Sequence, residues 1–97
     1  MEKQLIKFNG ETYILHISRY QSNNQTSLQL LTEEGLPFMT ITKNIEHVIL
    51  EEDEVIIKDY SENEGILQAL IKENVIAKPH ETINSGYVKL HICQLIN

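Results

Sequence analysis

The stretch Glu54-Val55-Ile56-Ile57-Lys58-Asp59-Tyr60-Ser61-Glu62-Asn63-Glu64-Gly65 decides the fold, because a strand-forming run gives way within it to a helix start. Val55, Ile56 and Ile57 are β-branched and apolar, which suits a pleated, packed surface. The run breaks at Asp59 and Tyr60. Ser61 and Glu64 then stand at capping-box spacing, where each side chain accepts from a backbone N–H that the first helical turn leaves unpaired. Glu62 and Glu64 also suit the positive end of a helix dipole. Beyond them Ile66, Leu67, Leu70 and Ile71 recur at the spacings that make one apolar stripe. The pattern predicts a helix over residues 62–73, lying on a sheet and ending near Asn74, with Pro79 forbidding a long continuation through its missing donor.

Upstream of this junction the chain reads as strands. Residues 4–8 and 12–20 flank Asn9-Gly10, a pair that suits the positive φ angles of a type I′ hairpin turn. In the second strand Tyr13, Leu15, Ile17 and Arg19 share one face, and Thr12, Ile14, His16, Ser18 and Tyr20 the other. Residues 21–25 are a polar connection, residues 26–31 a third strand with Leu28 and Leu30 on one face, and residues 38–42 a fourth after a turn through Glu33, Glu34, Gly35 and Pro37. Short connections imply an antiparallel meander. Residues 44–50 read as a loose helical turn or an irregular loop on the core, residues 51–53 as a turn, and residues 54–58 as a fifth strand. After the helix, residues 75–77 extend briefly, residues 84–86 turn, and residues 87–96 close the fold as a strand. The expected fold class is α+β: one antiparallel sheet of five or six strands with one principal helix packed on a face.

Ninety-seven residues make a single domain, 1–97, with one core and little room for a buried cavity. The hydrophobic fraction of 41% and charged fraction of 23% are those of an ordinary globular chain. No apolar stretch reaches the roughly 18 residues that span a bilayer, and residues 1–7 lack the layout of an export signal. Cys93 is the single cysteine, which excludes an internal disulfide and fits a reducing compartment. The expected location is therefore the cytoplasm, without membrane contact. Cys93 has no histidine at ligand spacing and reads as a sheet residue, not a nucleophile.

Charge is concentrated. The net value is -6, and Glu46, Glu51, Glu52, Asp53, Glu54, Asp59, Glu62 and Glu64 supply eight of the fourteen acids, opposed within that span only by Lys58. Such a surface repels nucleic-acid phosphates and attracts basic partners at range. A solvated edge kept acidic for solubility accounts for many of the same residues.

Few residues point to catalysis. Asp59, Glu62 and Glu64 offer hard oxygen ligands for magnesium or calcium, but without the glycine and distant glutamate of a calcium loop. Helix capping explains them without a metal. His16, His47, His80 and His91 are scattered; His16 and His91 fall on strands that could approach across the sheet, and His80, beside Pro79, suits an exposed contact. Ser18, Ser22, Ser27, Ser61 and Ser85 lack a recognisable base. Gly10, Gly35, Gly65 and Gly86 are isolated, so no phosphate loop forms. Tyr13, Tyr20, Tyr60 and Tyr87 lack the basic groove that stacking on single-stranded nucleic acid needs. Tyr60, at the acidic junction, is the aromatic placed to anchor a protein contact.

The order Tyr20, Ser22, Asn23, Asn24 and Leu28, then Pro37 and Phe38 before a Thr-rich strand, then the run Ile57 to Gly65, then Pro79, Ser85 and Gly86, resembles a family of small uncharacterised proteins of bacterial phages and conjugative elements. The resemblance spans most of the chain and is most specific over residues 59–65. It implies an accessory role in a mobile genetic element and brings no activity or catalytic residues with it.

The sequence thus leads to a non-catalytic interaction protein, without cofactor, that presents Glu51, Glu52, Asp53, Glu54, Asp59, Tyr60, Glu62 and Glu64 to a protein partner. One version of that partner is a basic nucleic-acid-binding protein whose binding surface the negative charge would occupy. The alternatives are a small metal-dependent hydrolase or nucleotide-binding enzyme built on Asp59, Glu62 and Glu64, and a homodimeric structural module joined through an exposed edge strand.

Overall fold

A computed structural model describes residues 4–96 and contains seven strands and one α-helix. The first hairpin joins β1 (Leu5–Phe8) to β2 (Glu11–Arg19) through Asn9 and Gly10, whose φ angles of 51° and 80° are the positive pair expected of the turn. Strands β3 (Thr26–Leu31) and β4 (Pro37–Thr40) complete an antiparallel meander in the order β1-β2-β3-β4. Strand β5 (Glu54–Lys58) belongs to a second, three-stranded antiparallel sheet with β6 (Glu81–Ser85) and β7 (Val88–Gln94), ordered β5-β7-β6.

The expectation of one sheet is therefore corrected to two. Their junction explains the split. Past β4 the chain turns away from β3 and runs along β5: Lys58 N–H donates to the Ile41 carbonyl at 3.0 Å, Lys43 N–H to the Ile56 carbonyl at 3.0 Å, and Thr42 pairs with Ile57. Ile41 N–H still donates to Leu28 at 2.9 Å, so residues 41–43 hand one sheet to the other.

The period-two pattern of the meander turns Ile6, Phe8, Leu15, Leu28, Leu30 and Met39 inward, where they meet Val55, Ile57 and Cys93 from the second sheet and Ile66, Leu67 and Leu70 from the helix. The other face of the second sheet is also covered: Ile56, Leu90 and Ile92 pack under Ile45, Val48, Leu50, Tyr60 and Ile83. Burial on both faces is why the fifth strand is an unbroken apolar run instead of an alternating one. Residues 44–50 form the irregular loop that provides much of this second cover, held down by Gln25 Nε2, which donates to the carbonyls of Ile45 and Val48 at 3.2 and 2.9 Å.

The helix α1 spans Ile66–Lys72, shorter than the 62–73 expected, and the capping box does not form. Ser61 to Asn63 instead make a 3₁₀ turn without a side-chain cap, with Ser61 at φ 55°. Asp59 takes the capping role: its Oδ1 accepts from Gly65 N–H at 2.9 Å and Leu67 N–H at 3.1 Å. Gly65 precedes the helix at φ 98°, a left-handed conformation that glycine adopts without Cβ strain. At the other end Asn74, at φ 61°, donates to Ile71, and Val75 N–H reaches Leu70 at 2.9 Å, which is the paired bonding of a Schellman cap. Val75 and Leu70 are both buried and supply its apolar contact.

The last hairpin also differs from expectation. Residues 84–86 do not turn as a unit; Asn84 and Ser85 continue β6, which pairs Ser85 with Val88, and the turn falls at Gly86 and Tyr87. No helix among the described residues is long and apolar enough to cross a membrane.

Candidate functional site

Strand β5 separates the expected acidic surface into two. Each strand residue advances the chain by about 3.3 Å, so the turn at residues 51–53 and the junction that begins at Asp59 stand about 20 Å apart. Proximity in sequence does not make them one patch.

At the junction most of the candidate residues serve the fold. Asp59 is half-buried and committed to two backbone donors. Tyr60 is half-buried against the Ile56, Leu90 and Ile92 cluster, which limits the ring surface it offers to an anchor contact. Asn63, which the sequence did not single out, is almost fully buried and donates through Nδ2 to the Thr40 carbonyl at 2.9 Å, tying the 3₁₀ turn to the end of β4. Glu62 and Glu64 remain exposed. Among the described residues no group of three or more His, Cys, Asp or Glu side chains converges as metal ligands do.

The turn before β5 is different. Glu51, Glu52 and Asp53 are exposed. Glu54 braces the turn from below: its Oε1 accepts from Glu51 N–H at 2.7 Å and its Oε2 meets His80 Nε2 at 2.6 Å. His80 is 45% exposed against 17% for Glu54, so this pair sits at the protein surface. Asp53 Oδ2 accepts from Gln94 Nε2 at 2.6 Å, and its carbonyl accepts from Leu95 N–H at 2.7 Å. The backbone of the turn is thus pinned while Glu51, Glu52 and Asp53 stay exposed, Asp53 with one carboxylate oxygen bonded to Gln94. Among the described residues the His80–Glu54 contact is the one close approach of a basic side chain to a carboxylate, so no Lys or Arg pairs with Glu51, Glu52 or Asp53.

This turn overlooks an open depression of about 620 Å³. Ile17, Ser18, Arg19 and Thr26 line its meander side, and Glu51, Glu52, Asp53 and Leu95 the other. Two smaller hollows share Glu51: one of about 310 Å³ reaching Asn23, Asn24 and Leu50, and one of about 380 Å³ reaching Lys78 and His80. Arg19 Nη1 donates to the Asn24 carbonyl at 3.1 Å, which holds it toward its own loop.

The remaining candidates do not assemble a reaction centre. His16 lies on β2 in the first sheet and His91 on β7 in the second, so the cross-sheet pairing envisaged for them does not occur. His91 Nδ1 is buried without a hydrogen-bond partner. Cys93 is fully buried in β7, and desolvation pushes its thiol up from 9.0 to about 12, which makes it a packing residue and a poor nucleophile. Ile17, Arg19, Leu95 and the Glu54–His80 brace were not singled out by sequence. The face shared by Tyr13, Leu15, Ile17 and Arg19 carried part of the signal, since it passes from apolar to basic where its cover stops.

Comparison with protein-family models, with curated proteins and with solved structures finds no match.

Proposed function

We propose that this chain is a non-catalytic interaction protein that presents the acidic turn, residues 51–54, to a basic surface of a protein partner. The observation that carries this reading is that Glu51, Glu52 and Asp53 stand exposed, unpaired with Lys or Arg among the described residues, on a turn braced by Glu54, His80 and Gln94. A rigid set of like charges gains nothing from internal pairing and raises the rate and selectivity of encounter with an opposite charge. Glu62 and Glu64, at the far end of β5, contribute a second and weaker field. A basic nucleic-acid-binding protein is the partner class whose own ligand such a surface would displace. The accessory setting in a phage or conjugative element is proposed on the family resemblance alone, which spans most of the chain and is most specific over residues 59–65.

The test is affinity capture from bacterial lysate with the wild-type chain and with E51Q/E52Q/D53N, followed by mass spectrometry. The expected result is a basic protein retained by the wild type, lost from the variant, and released as salt shrinks the Debye length to about 3 Å near 1 M. Equal retention by both chains at all salt concentrations would contradict it.

A further inference from the structure

Ile17 is in an unusual position. It pairs with Leu28 across the β2–β3 ladder, and directly paired residues point to the same face, so Ile17 is directed to the core side of the sheet. Leu28 is completely buried, yet Ile17 is 54% exposed. Its neighbour on the same face, Leu15, is covered, so cover stops between the two. The paired strands of the second sheet stop at Glu54 and Gln94, and Ile17 lines the 620 Å³ depression together with Asp53 and Leu95, which lie just past those ends. Apolar Ile17 and Leu95 and the acids Glu51, Glu52 and Asp53 therefore line one depression.

We infer that this depression receives the side chain of an arginine or lysine from a basic peptide segment of the partner. Such a side chain is amphipathic along its length: the methylene stem covers apolar surface while the cationic head keeps polar company. The depression offers both environments in its lining, aliphatic Ile17 and Leu95 with three carboxylates against one guanidinium. Arg19, whose Nη1 donates to the Asn24 carbonyl, forms no ion pair with these acids among the described residues, and one guanidinium leaves three carboxylates in excess. A purely aliphatic side chain would cover the apolar lining but leave the carboxylates unanswered, and an acidic one would meet repulsion. Two further hollows share Glu51 with this depression and offer adjoining surface to the flanking residues of such a segment. This inference rests on the proposed acidic-surface function and specifies what that surface grips.

The experiment is an NMR titration of the full chain, methyl-labelled at Ile and Leu, with blocked peptides Gly-Ser-X-Ser-Gly in which X is arginine, norleucine or glutamate. The arginine peptide is expected to move the Ile17 and Leu95 methyl signals saturably. Binding is expected to be at least about tenfold weaker for norleucine, undetectable for glutamate, and weakened about tenfold by E51Q/E52Q/D53N, as for loss of close charge pairs. Absence of saturable shifts at Ile17 and Leu95, equal binding of norleucine, or indifference to the triple substitution would overturn the inference. Failure here with partner capture still lost in the triple variant removes the groove and leaves the acidic surface standing; retention of the partner by that variant removes the surface reading itself.

Discussion

Asp59 shows what a single carboxylate does at this junction. Its Oδ1 answers two backbone donors, so Asp59→Ala should cost about 1–2 kcal/mol, the usual value of a lost helix cap, as read by urea denaturation. Ser61→Ala should change stability by less than about 0.5 kcal/mol, because the Ser61 side chain caps nothing. The opposite ranking would restore the capping box. Both residues are good caps by type, and sequence spacing favoured the serine. What decided otherwise was Gly65: its left-handed backbone delays the helix to Ile66 and brings the first free N–H groups under Asp59 instead.

Cys93 is buried in β7. Burial lifts its thiol to about 12 in the folded chain, whereas the unfolded chain loses that proton near 9.0. Between those values the unfolded state binds fewer protons than the native one, so this group's contribution to stability is complete below pH 9 and is lost as pH rises, at up to about 1.4 kcal/mol per unit. Denaturation measured across that window should show a steeper loss for wild type than for Cys93→Ala. At neutral pH a thiol-reactive disulfide should label Cys93 only as fast as the chain opens. Rapid labelling of the native protein would contradict the burial.

Among the elements, those specified by local chemistry were legible. The Asn9-Gly10 hairpin, the alternating Leu28 and Leu30 of β3, and the apolar run of β5 each need only neighbours in sequence to define them. Strand β6 was not legible, since Glu81, Thr82, Asn84 and Ser85 are polar and Ile83 alone contributes to an apolar cluster. It is an edge strand whose pairing with β7 comes from the backbone, and polar edges carry no periodic signal. The bend at residues 41–43 was equally silent, because both of its hydrogen-bonding partners lie far away in sequence. The core that these elements share predicts its own contrast. Leu30→Ala, fully buried between the two sheets, should cost about 2–5 kcal/mol, whereas Ile49→Ala, 97% exposed on the covering loop, should cost less than about 0.5 kcal/mol by the same denaturant assay. Comparable losses at both positions would mean that the loop, not the meander, holds the centre of the fold.

At the scale of the whole molecule, the charge distribution looked like one feature in sequence and is two in space. The apolar residues of β5 force that outcome: a strand buried on both faces must run straight through the molecule, so acids at its two ends emerge on opposite sides of it. Which acids belonged to the candidate site could not be read from spacing, because Asp59 and Glu52 differ only in what the rest of the chain puts beside them. The depression beside Ile17 was hidden for the same reason, since residues far apart in sequence line it.

The turn at residues 51–53, and not the helix junction, is proposed as the docking surface. Capture of a partner by the wild-type chain, by E51Q/E52Q/D53N and by E62Q/E64Q tests it most directly. The first variant is expected to lose the partner while the second keeps it; loss in E62Q/E64Q with retention in E51Q/E52Q/D53N would overturn the assignment.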